Sequence, residues 1–264
     1  LTRDSQDCPP RSGDHQMAPR RSVCVAAAAL ITLTAGSSAL EPYAQTFEDL
    51  DQASPSALAD DGWLVFGNVS APDGTFIYGY GPFAAPNSPA PFCQIALGQG
   101  GTEQGDQVLN VFSDYENGDH AVGNLIEANV FQEQTIAAAD VGTTWKFRFQ
   151  HKRGNIEGET TALAFIKTLD PDDGFALTNF LSVDMTDIPD TWGGDSLEIV
   201  IDEALEGQIL QIGFANTATN YEGSGIFYDN LDWAESATTG PTLVPYAQDF
   251  EGLDQADPSA LTAD

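Results

Sequence analysis

One segment of this chain occurs twice, and the distance between the two copies sets the size of the folding unit. Residues 42–58 read PYAQTFEDLDQASPSAL, and residues 245–261, which begin 203 positions later, match them at 14 of 17 positions. Solenoid repeats have periods of about 20–50 residues, so this period is that of a whole domain. The sequence therefore predicts one complete module over residues 40–236, a small-polar linker over 237–243 and the start of a second copy over 244–264.

The residues before the module have the layout of a secretory signal peptide. A start at Met17 is followed by two arginines, by an apolar run at residues 23–35 and by small residues just before position 40. This run is shorter than the roughly 20 residues that a membrane span needs, and no later stretch qualifies. We therefore expect residues 1–39 to hold a short upstream segment and a signal peptide, and the module to be secreted, as an extracellular or cell-surface protein.

Alternation of apolar and polar residues predicts an all-β module. Residues 145–150, 197–201 and 208–214 each place apolar side chains on one face and polar ones on the other. Residues 162–167 are apolar on both faces, as in a covered central strand. Further strands are expected at 44–50, 62–68, 75–80, 107–113, 128–135 and 224–233. About ten strands separated by Gly, Pro, Asn and Asp turns indicate an antiparallel β-sandwich or jelly roll.

The charge of the chain excludes several classes of partner. Forty Asp and Glu residues against nine Lys and Arg residues give a formal net charge of −31. Nucleic acids and anionic membranes require clustered cations, so neither is an expected partner. Such a surface is typical of a protein that is soluble in salty surroundings, or of one with a polycationic partner.

Cysteine usage excludes a disulfide framework inside the module. Of the three cysteines, Cys8 and Cys24 precede position 40, which leaves Cys93 alone. No disulfide and no cysteine-based metal site can form within one copy. We expect Cys93 to be buried as a small hydrophobic residue.

Short motifs follow one another in order along the predicted module. They are Phe47-Glu48, Gly62-Trp63, residues 105–111 (GDQVLNV), residues 141–149 (VGTTWKFRF), residues 189–193 (PDTWG) and residues 225–231 (GIFYDNL). This layout resembles the jelly-roll carbohydrate-binding modules that are appended to xylanases and glucanases. The resemblance spans residues 44–234 and implies a jelly-roll fold and a polysaccharide ligand. The long Gly- and Pro-rich stretch at 66–106 departs from that layout.

The resemblance also implies a structural calcium ion. In these modules the opening Glu and the closing Asp commonly help to hold it, and Glu48 and Asp229 stand at the matching positions. Pairing of the first and last strands would place Asp51 beside Glu48 and Asp229, so the predicted metal site includes it. Calcium takes six to eight oxygen ligands, which carboxylates supply readily. The alternative is two solvated carboxylates at a sheet edge, in a chain that is full of carboxylates.

Two groups of side chains are candidates for ligand binding. We expect Lys146, Arg148 and Gln211 to face outward on one sheet, together with Gln150 and Glu198, as the polar floor of a groove for glycan hydroxyl groups or uronic acid carboxylates. The alternative is a set of cross-strand ion pairs. Aromatic residues in or beside loops could stack on sugar rings or simply pack; they are Tyr78, Tyr80, Tyr115, Trp192 and Tyr221.

No catalytic motif appears in the predicted module. It has two histidines, His120 and His151, and no nucleophile-elbow, metalloprotease or phosphate-loop pattern. The leading hypothesis is a secreted, calcium-stabilised, non-catalytic carbohydrate-binding module repeated in tandem, with the rest of the polypeptide carrying further copies or other domains. The alternatives are a structural or adhesive cell-surface repeat, or an unrecognised polysaccharide hydrolase or lyase.

Overall fold

The computed structural model describes residues 39–236. The predicted complete module, residues 40–236, lies within this range. The predictions of a signal peptide, a linker and a second copy fall almost entirely on residues outside it. Among the described residues, no helix combines the length and the apolar character that crossing a membrane requires.

The module is all-β, as the sequence predicts, and its strands form two antiparallel sheets. The strands are β1 Tyr43–Gln45, β2 Leu64–Ser70, β3 Phe76–Ala84, β4 Cys93–Leu97, β5 Gln107–Val111, β6 Leu125–Thr135, β7 Thr144–Arg153, β8 Thr161–Asp170, β9 Ala176–Asp184, β10 Gly193–Val200, β11 Ile209–Ala218 and β12 Ile226–Glu235. The helical segments are short: α1 at Ala57–Asp60 and 3-10 turns at Gly118–Val122, Ala138–Asp140, Pro171–Asp173 and Glu203–Leu205.

Each sheet contains six strands. The first sheet has the order β10-β7-β12-β5-β4, and β1 pairs with β12 beside this path. The second sheet has the order β3-β2-β6-β11-β8-β9. Neighbouring strands are mostly far apart in the chain, which is the pattern of a jelly-roll sandwich rather than a meander.

The core lies between the two sheets and is rich in aromatic rings. Trp145, Phe147 and Phe149 all point inward from β7, as their alternation predicts. Phe214, from the middle of the second sheet, stacks on Tyr228 of the first sheet with ring centroids 3.6 Å apart. Phe214 also contacts Phe147 and Phe149 at 5.7 and 5.4 Å, so it joins the two sheets at their centre.

Some predicted strands differ in extent from the observed ones. The strand expected at 44–50 ends at Gln45, because Phe47 has a φ of +61°, a left-handed conformation that interrupts an extended chain. Strands β4 and β9 are not among the predicted strands, and the side chains of β9 alternate only imperfectly between exposed and half-buried positions. Cys93 is buried, as expected.

Replacing Phe214 by Ala is expected to lower the free energy of unfolding by about 3–5 kcal/mol, because a large buried ring leaves a cavity where the sheets meet. Chemical denaturation of the variant measures the loss. Leu97→Ala is the control, since Leu97 is 56% exposed and its truncation should cost less than about 0.5 kcal/mol. Equal losses in the two variants would contradict this description of the core.

Candidate functional site

A groove with a cavity volume of about 940 Å³ lies on the outer face of the second sheet. All six strands of that sheet contribute to its lining. One residue from each, in sheet order, is Pro82, Phe66, Phe131, Ala215, Lys167 and Phe180. With strands about 4.8 Å apart, a groove that crosses six of them is roughly 24 Å long. The groove therefore extends across the strands and is long enough for an extended ligand.

Part of the floor of the groove is apolar, because several outward residues of the central strands are apolar. Phe131, Phe165 and Ala215 form a small buried cluster there, separate from the main core, with Phe66 and Leu163 packed against it. Residues 162–167 are thus apolar on both faces, as predicted, but their outer face belongs to a groove.

Exposed apolar side chains form one rim of the groove. Phe175 is 59% exposed and Phe180 is 46% exposed, with Leu177 between them on the same edge of the sheet. Phe180 lies 6.4 Å from Phe165, ring centroid to ring centroid. Exposed aromatic rings beside a buried aromatic floor offer flat surfaces to a ligand.

A row of hydrogen-bonded polar side chains crosses the floor. Asn68 and Asn129 each donate an amide hydrogen bond to Glu127 Oε1, at 2.8 and 2.7 Å. Lys167 Nζ donates to Asn129 Oδ1 at 2.9 Å and lies 4.2 Å above the ring of Phe165. These groups leave further donors and acceptors for the hydroxyl groups of a ligand.

Lys167 is the unusual member of this row. Burial lowers the pKa of its ammonium group to about 8, although the negative charges of Glu127 and Glu133 oppose this shift. Glu133 accepts a hydrogen bond from Gln211 at 2.6 Å, and Lys167 forms no ion pair within residues 39–236. An ammonium group has three donors, so Lys167 can donate to a ligand as well as to Asn129.

The structure separates the residues that were predicted to form one polar face. Lys146, Arg148 and Gln150 lie on the outer face of the first sheet, where Arg148 pairs with Asp232 at 2.8 Å. Gln211 lies on β11 in the second sheet and lines the groove. The prediction of one shared face was therefore wrong for Gln211, whereas Glu198 of β10 lies opposite Lys146 in the first sheet, as expected. Alternation shows which side chains face outward, but it does not show which sheet a strand joins.

The predicted loop aromatics all lie outside the groove. The hydroxyl groups of Tyr78 and Tyr80 donate to carboxylates in the 114–119 loop, and Tyr115 donates to the Glu222 carbonyl. Trp192 donates to the Gln99 carbonyl at 3.2 Å, and Tyr221 packs on His120. Of the predicted ligand residues, Gln211 alone lines the groove.

Glu48 and Asp229 are close enough to interact electrostatically. Glu48 Oε1 accepts backbone hydrogen bonds from Asp106 and Gln107 at 2.8 and 2.6 Å, at the start of β5. Asp229 is fully buried on β12; one of its oxygens accepts from the Asn230 amide, and the other has no hydrogen-bond partner. Burial raises the pKa of Asp229 to about 7, and the negative charge of Glu48 adds to the rise.

Asp51 is not part of this pair. It is exposed, and its carboxylate accepts a hydrogen bond from the Ala53 amide in its own turn. Over residues 39–236, no three acidic, histidine or cysteine side chains come together as a metal site. The structure therefore brings two of the three predicted metal ligands together and leaves the third in solvent.

Solved structures with a similar arrangement are mainly carbohydrate-binding modules of families 16, 22 and 4. The CBM22-1 xylan-binding domain of Xyn10C from Paenibacillus barcinonensis is 10% identical with a TM-score of 0.38, over 76% of this chain and 98% of that one. A family 16 carbohydrate-binding module is 12% identical with a TM-score of 0.36, over 57% of this chain and 89% of that one.

A tailspike enzyme domain of bacteriophage CBA120 also matches. It is 12% identical with a TM-score of 0.41, over 71% of this chain, and this chain spans about a fifth of its length (21%). No protein-family model and no curated protein matches the chain.

Proposed function

We propose that the module is secreted, binds a polysaccharide in the groove of the second sheet without cleaving it, and is stabilised by calcium. The observation that carries the polysaccharide proposal is the groove itself. It combines a rim of exposed phenylalanines with a row of amide, carboxylate and ammonium groups on its floor. Ligand sites in proteins are mostly apolar, with a few polar groups that fix orientation.

A sugar ring can contact both the apolar rim and the polar groups of this lining. Its C–H faces can pack on the Phe180 and Phe175 rings, while its hydroxyl groups exchange hydrogen bonds with Lys167, Asn129 and Glu127. The length of roughly 24 Å, estimated from the strand spacing, accommodates several linked sugars. The negative net charge of the chain does not oppose such a ligand if the ligand is neutral.

The hydrogen bonds in the groove support binding rather than hydrolysis. Glycosidases usually place two carboxyl groups on either side of the scissile bond, one of them as a proton donor. Glu127 Oε1 already accepts two side-chain amide hydrogen bonds, and Glu133 Oε2 accepts one. The two carboxylates therefore orient the amide side chains of the floor, and this role does not require either of them to donate a proton to a ligand.

Binding is tested by affinity electrophoresis or pull-down of the full chain with neutral and acidic polysaccharides. Phe180→Ala and Lys167→Met should each weaken binding roughly tenfold, since each removes about 1.4 kcal/mol of contact with the ligand. Phe83→Ala and Arg148→Ala are matched controls, because both residues are exposed and lie outside the groove.

Two outcomes would contradict this proposal. One is the absence of binding to any polysaccharide in the panel, which would favour a structural or adhesive repeat. The other is loss of binding in Arg148→Ala with Phe180→Ala unaffected, which would move the ligand to the first sheet.

The calcium proposal rests on the unpartnered oxygen of Asp229. A buried carboxylate beside a second carboxylate is costly unless a cation neutralises both. Glu48 and Asp229 would hold the ion with side-chain oxygens, the ligand type that calcium prefers. Bound calcium would link the start of the module to its last strand.

Without calcium, Asp229 should make the stability of the module depend on pH. The folded state holds a proton on Asp229 up to about pH 7, whereas the unfolded chain loses it near its ordinary pKa of 3.8. This contribution to stability is therefore full below pH 4 and is lost as the pH rises to 7. In a chelator, Asp229→Asn should melt higher than the wild type at pH 7.5, and the difference should vanish at pH 4. Asp232→Asn, at an exposed site, should show no such trend.

Calcium should reverse this loss at pH 7.5. An ion that binds only the folded state adds about 2.7 kcal/mol at a hundredfold excess over its Kd, which is roughly 5–10 °C in melting temperature for a domain of this size. The Asp229→Asn variant should show a much smaller increase. Identical melting curves of the wild type in chelator and in millimolar calcium would remove the site.

The proposals of export and of tandem copies rest on residues 1–39 and 237–264 of the sequence. Linked copies of a binding module gain avidity without new contacts. The N-terminal sequence of the protein recovered from the culture medium tests export. A mature chain that retains residues 17–39 would contradict cleavage of a signal peptide.

A further inference from the structure

The chain has only three lysines, and one of them lies in the groove. Lys146, Lys152 and Lys167 are all half-buried. Lys146 and Lys152 belong to β7 in the first sheet, whereas Lys167 belongs to β8 and lines the groove of the second sheet. Because the three side chains are similarly exposed, the surroundings of Lys167 can be compared directly with those of the other two.

The side chain of Lys167 crosses a central strand of the second sheet. Lys167 lies opposite Gln211 of β11. Asn129 of β6 lies opposite Ala215, four residues further along β11. Lys167 Nζ nevertheless donates to Asn129 Oδ1 at 2.9 Å. The side chain therefore passes over Gly213, which lies between Gln211 and Ala215 on the same face of the strand.

Gly213 keeps this path open. It pairs with Phe131 on one side and with Phe165 on the other. A β-carbon at this position would come within 2.2 Å of the Val130 carbonyl oxygen, so a larger residue would require the backbone to shift. Lys167 Nζ lies 5.8 Å from the ring centroid of Phe131 and 4.2 Å from that of Phe165. The amine is thus held over two aromatic rings on the floor of the groove.

The amine of Lys167 has few polar partners. Within residues 39–236, Asn129 is its one hydrogen-bond partner and it forms no ion pair. The other charged side chains that line the groove are Glu127 and Glu133, both from β6, and the strands β2, β9 and β11 contribute neutral ones. Burial outweighs the attraction of these two carboxylates and lowers the pKa of Lys167 to about 8. At pH 7.5 about a quarter of this amine is therefore neutral, against about a thousandth for a lysine with the ordinary pKa of 10.5.

The space beside the amine can hold an apolar group. Phe180 lies directly opposite Lys167 in the β8–β9 pairing and is 46% exposed. A neutral amine can keep its hydrogen bond to Asn129 through one N–H and still offer its lone pair to a ligand. Desolvated lysine amines of this kind attack carbonyl carbons. The groove therefore combines a nucleophile with an aromatic surface for the body of the compound that it attacks.

We propose that Lys167 captures aldehydes in the groove as an imine, and that the preferred aldehydes carry an aryl or alkyl body. The nitrogen lone pair attacks the carbonyl carbon, and the carbonyl oxygen takes up a proton to give a carbinolamine. The C–O bond then breaks, and the oxygen leaves as water with two hydrogens that the ammonium group has lost. The protonated imine keeps the single positive charge of the lysine, so the step needs no oxidant or reductant. This activity does not require polysaccharide binding.

Reductive trapping on the full chain tests this proposal. The chain is incubated at pH 7.5 with limiting benzaldehyde and sodium cyanoborohydride, which reduces the imine to a stable secondary amine. Peptide mapping by mass spectrometry then compares the three lysines in one sample. Lys167 should be modified at least about tenfold faster than Lys146 or Lys152, because more of its amine is neutral and the groove holds the aldehyde.

Lys152 is the matched control. Its Nζ also lies over two rings, 5.4 Å from the centroid of Trp192 and 5.3 Å from that of Phe227, and burial lowers its pKa as well. It donates to the backbone and side-chain oxygens of Gln99, outside the groove. Equal modification of Lys152 and Lys167 would show that the groove contributes nothing, and would overturn the proposal.

A second arm tests the preference for an apolar body. Phe180→Ala should slow trapping of benzaldehyde at Lys167 roughly fivefold, because it removes the ring on which the benzaldehyde ring packs. Trapping of formaldehyde, which has no such body, should not change. Phe83→Ala, at an exposed ring outside the groove, should alter neither reaction. If Phe180→Ala leaves benzaldehyde trapping unchanged, this class of ligand is wrong.

The pH dependence shows whether the neutral amine is the reacting group. The ratio of Lys167 to Lys146 trapping should be constant below pH 8 and should fall above it. Lys167 is by then largely neutral, whereas lysines with the ordinary pKa continue to lose protons up to about pH 10.5. Taking the ratio within one sample removes the effect of pH on the reductant. A ratio that does not change with pH would contradict the proposed role of the lowered pKa.

Two further results would overturn the proposal. One is modification of Lys167 only after denaturation, which would mean that the amine is closed to ligands. The other is an unchanged amount of adduct on the groove peptides in Lys167→Arg, which keeps the positive charge but has no nucleophilic amine. All of these reactions are run without polysaccharide, so a failure of polysaccharide binding does not affect their outcome.

Discussion

The arrangement of the module depends on one constraint, which is that the second sheet carries apolar side chains on both faces. Its inner face packs on the first sheet through Phe214 and Tyr228. Its outer face holds a second, smaller apolar cluster around Phe131 and Phe165. The jelly-roll layout covers the inner face only. The outer face forms the groove, and Lys167 and its polar neighbours reduce the apolar surface that the groove exposes.

This constraint explains why the sequence predicts the fold better than the groove. Alternation in β7, β10 and β11 identifies the inward residues correctly, because inward and outward positions differ in polarity. The groove residues break that rule. Phe165 and Leu163 point outward but are apolar, so the sequence alone predicts that protein covers this face of the strand. Which strands become neighbours is decided by pairings between distant segments, such as β6 with β11, and no local pattern encodes them.

The sequence likewise predicts only part of the candidate metal site. The order of motifs along the chain relates Glu48 to Asp229, and folding does bring their charges within range of each other. Asp51 belongs to the predicted site only if its carboxylate points toward the paired first and last strands. Its side chain instead closes a local turn, a common use of Asp in loops. The residue types that can bind a metal are recognisable in the sequence. Which of them come together depends on the path of the folded backbone. Lys167 could have been singled out, because a lone basic residue in an apolar run of an acidic chain needs a particular environment.

The burial of Cys93 has a consequence for the proposed linkage of several copies of the module. Its thiol lies within the core cluster, and burial raises its pKa, so the reactive thiolate is strongly disfavoured. It is also the single cysteine among residues 39–236. Modules with accessible cysteines, joined in series in an oxidising compartment, could cross-link in the wrong pairs while they fold. If the single thiol of each module is buried once the sandwich has formed, further copies do not add thiols that can cross-link wrongly.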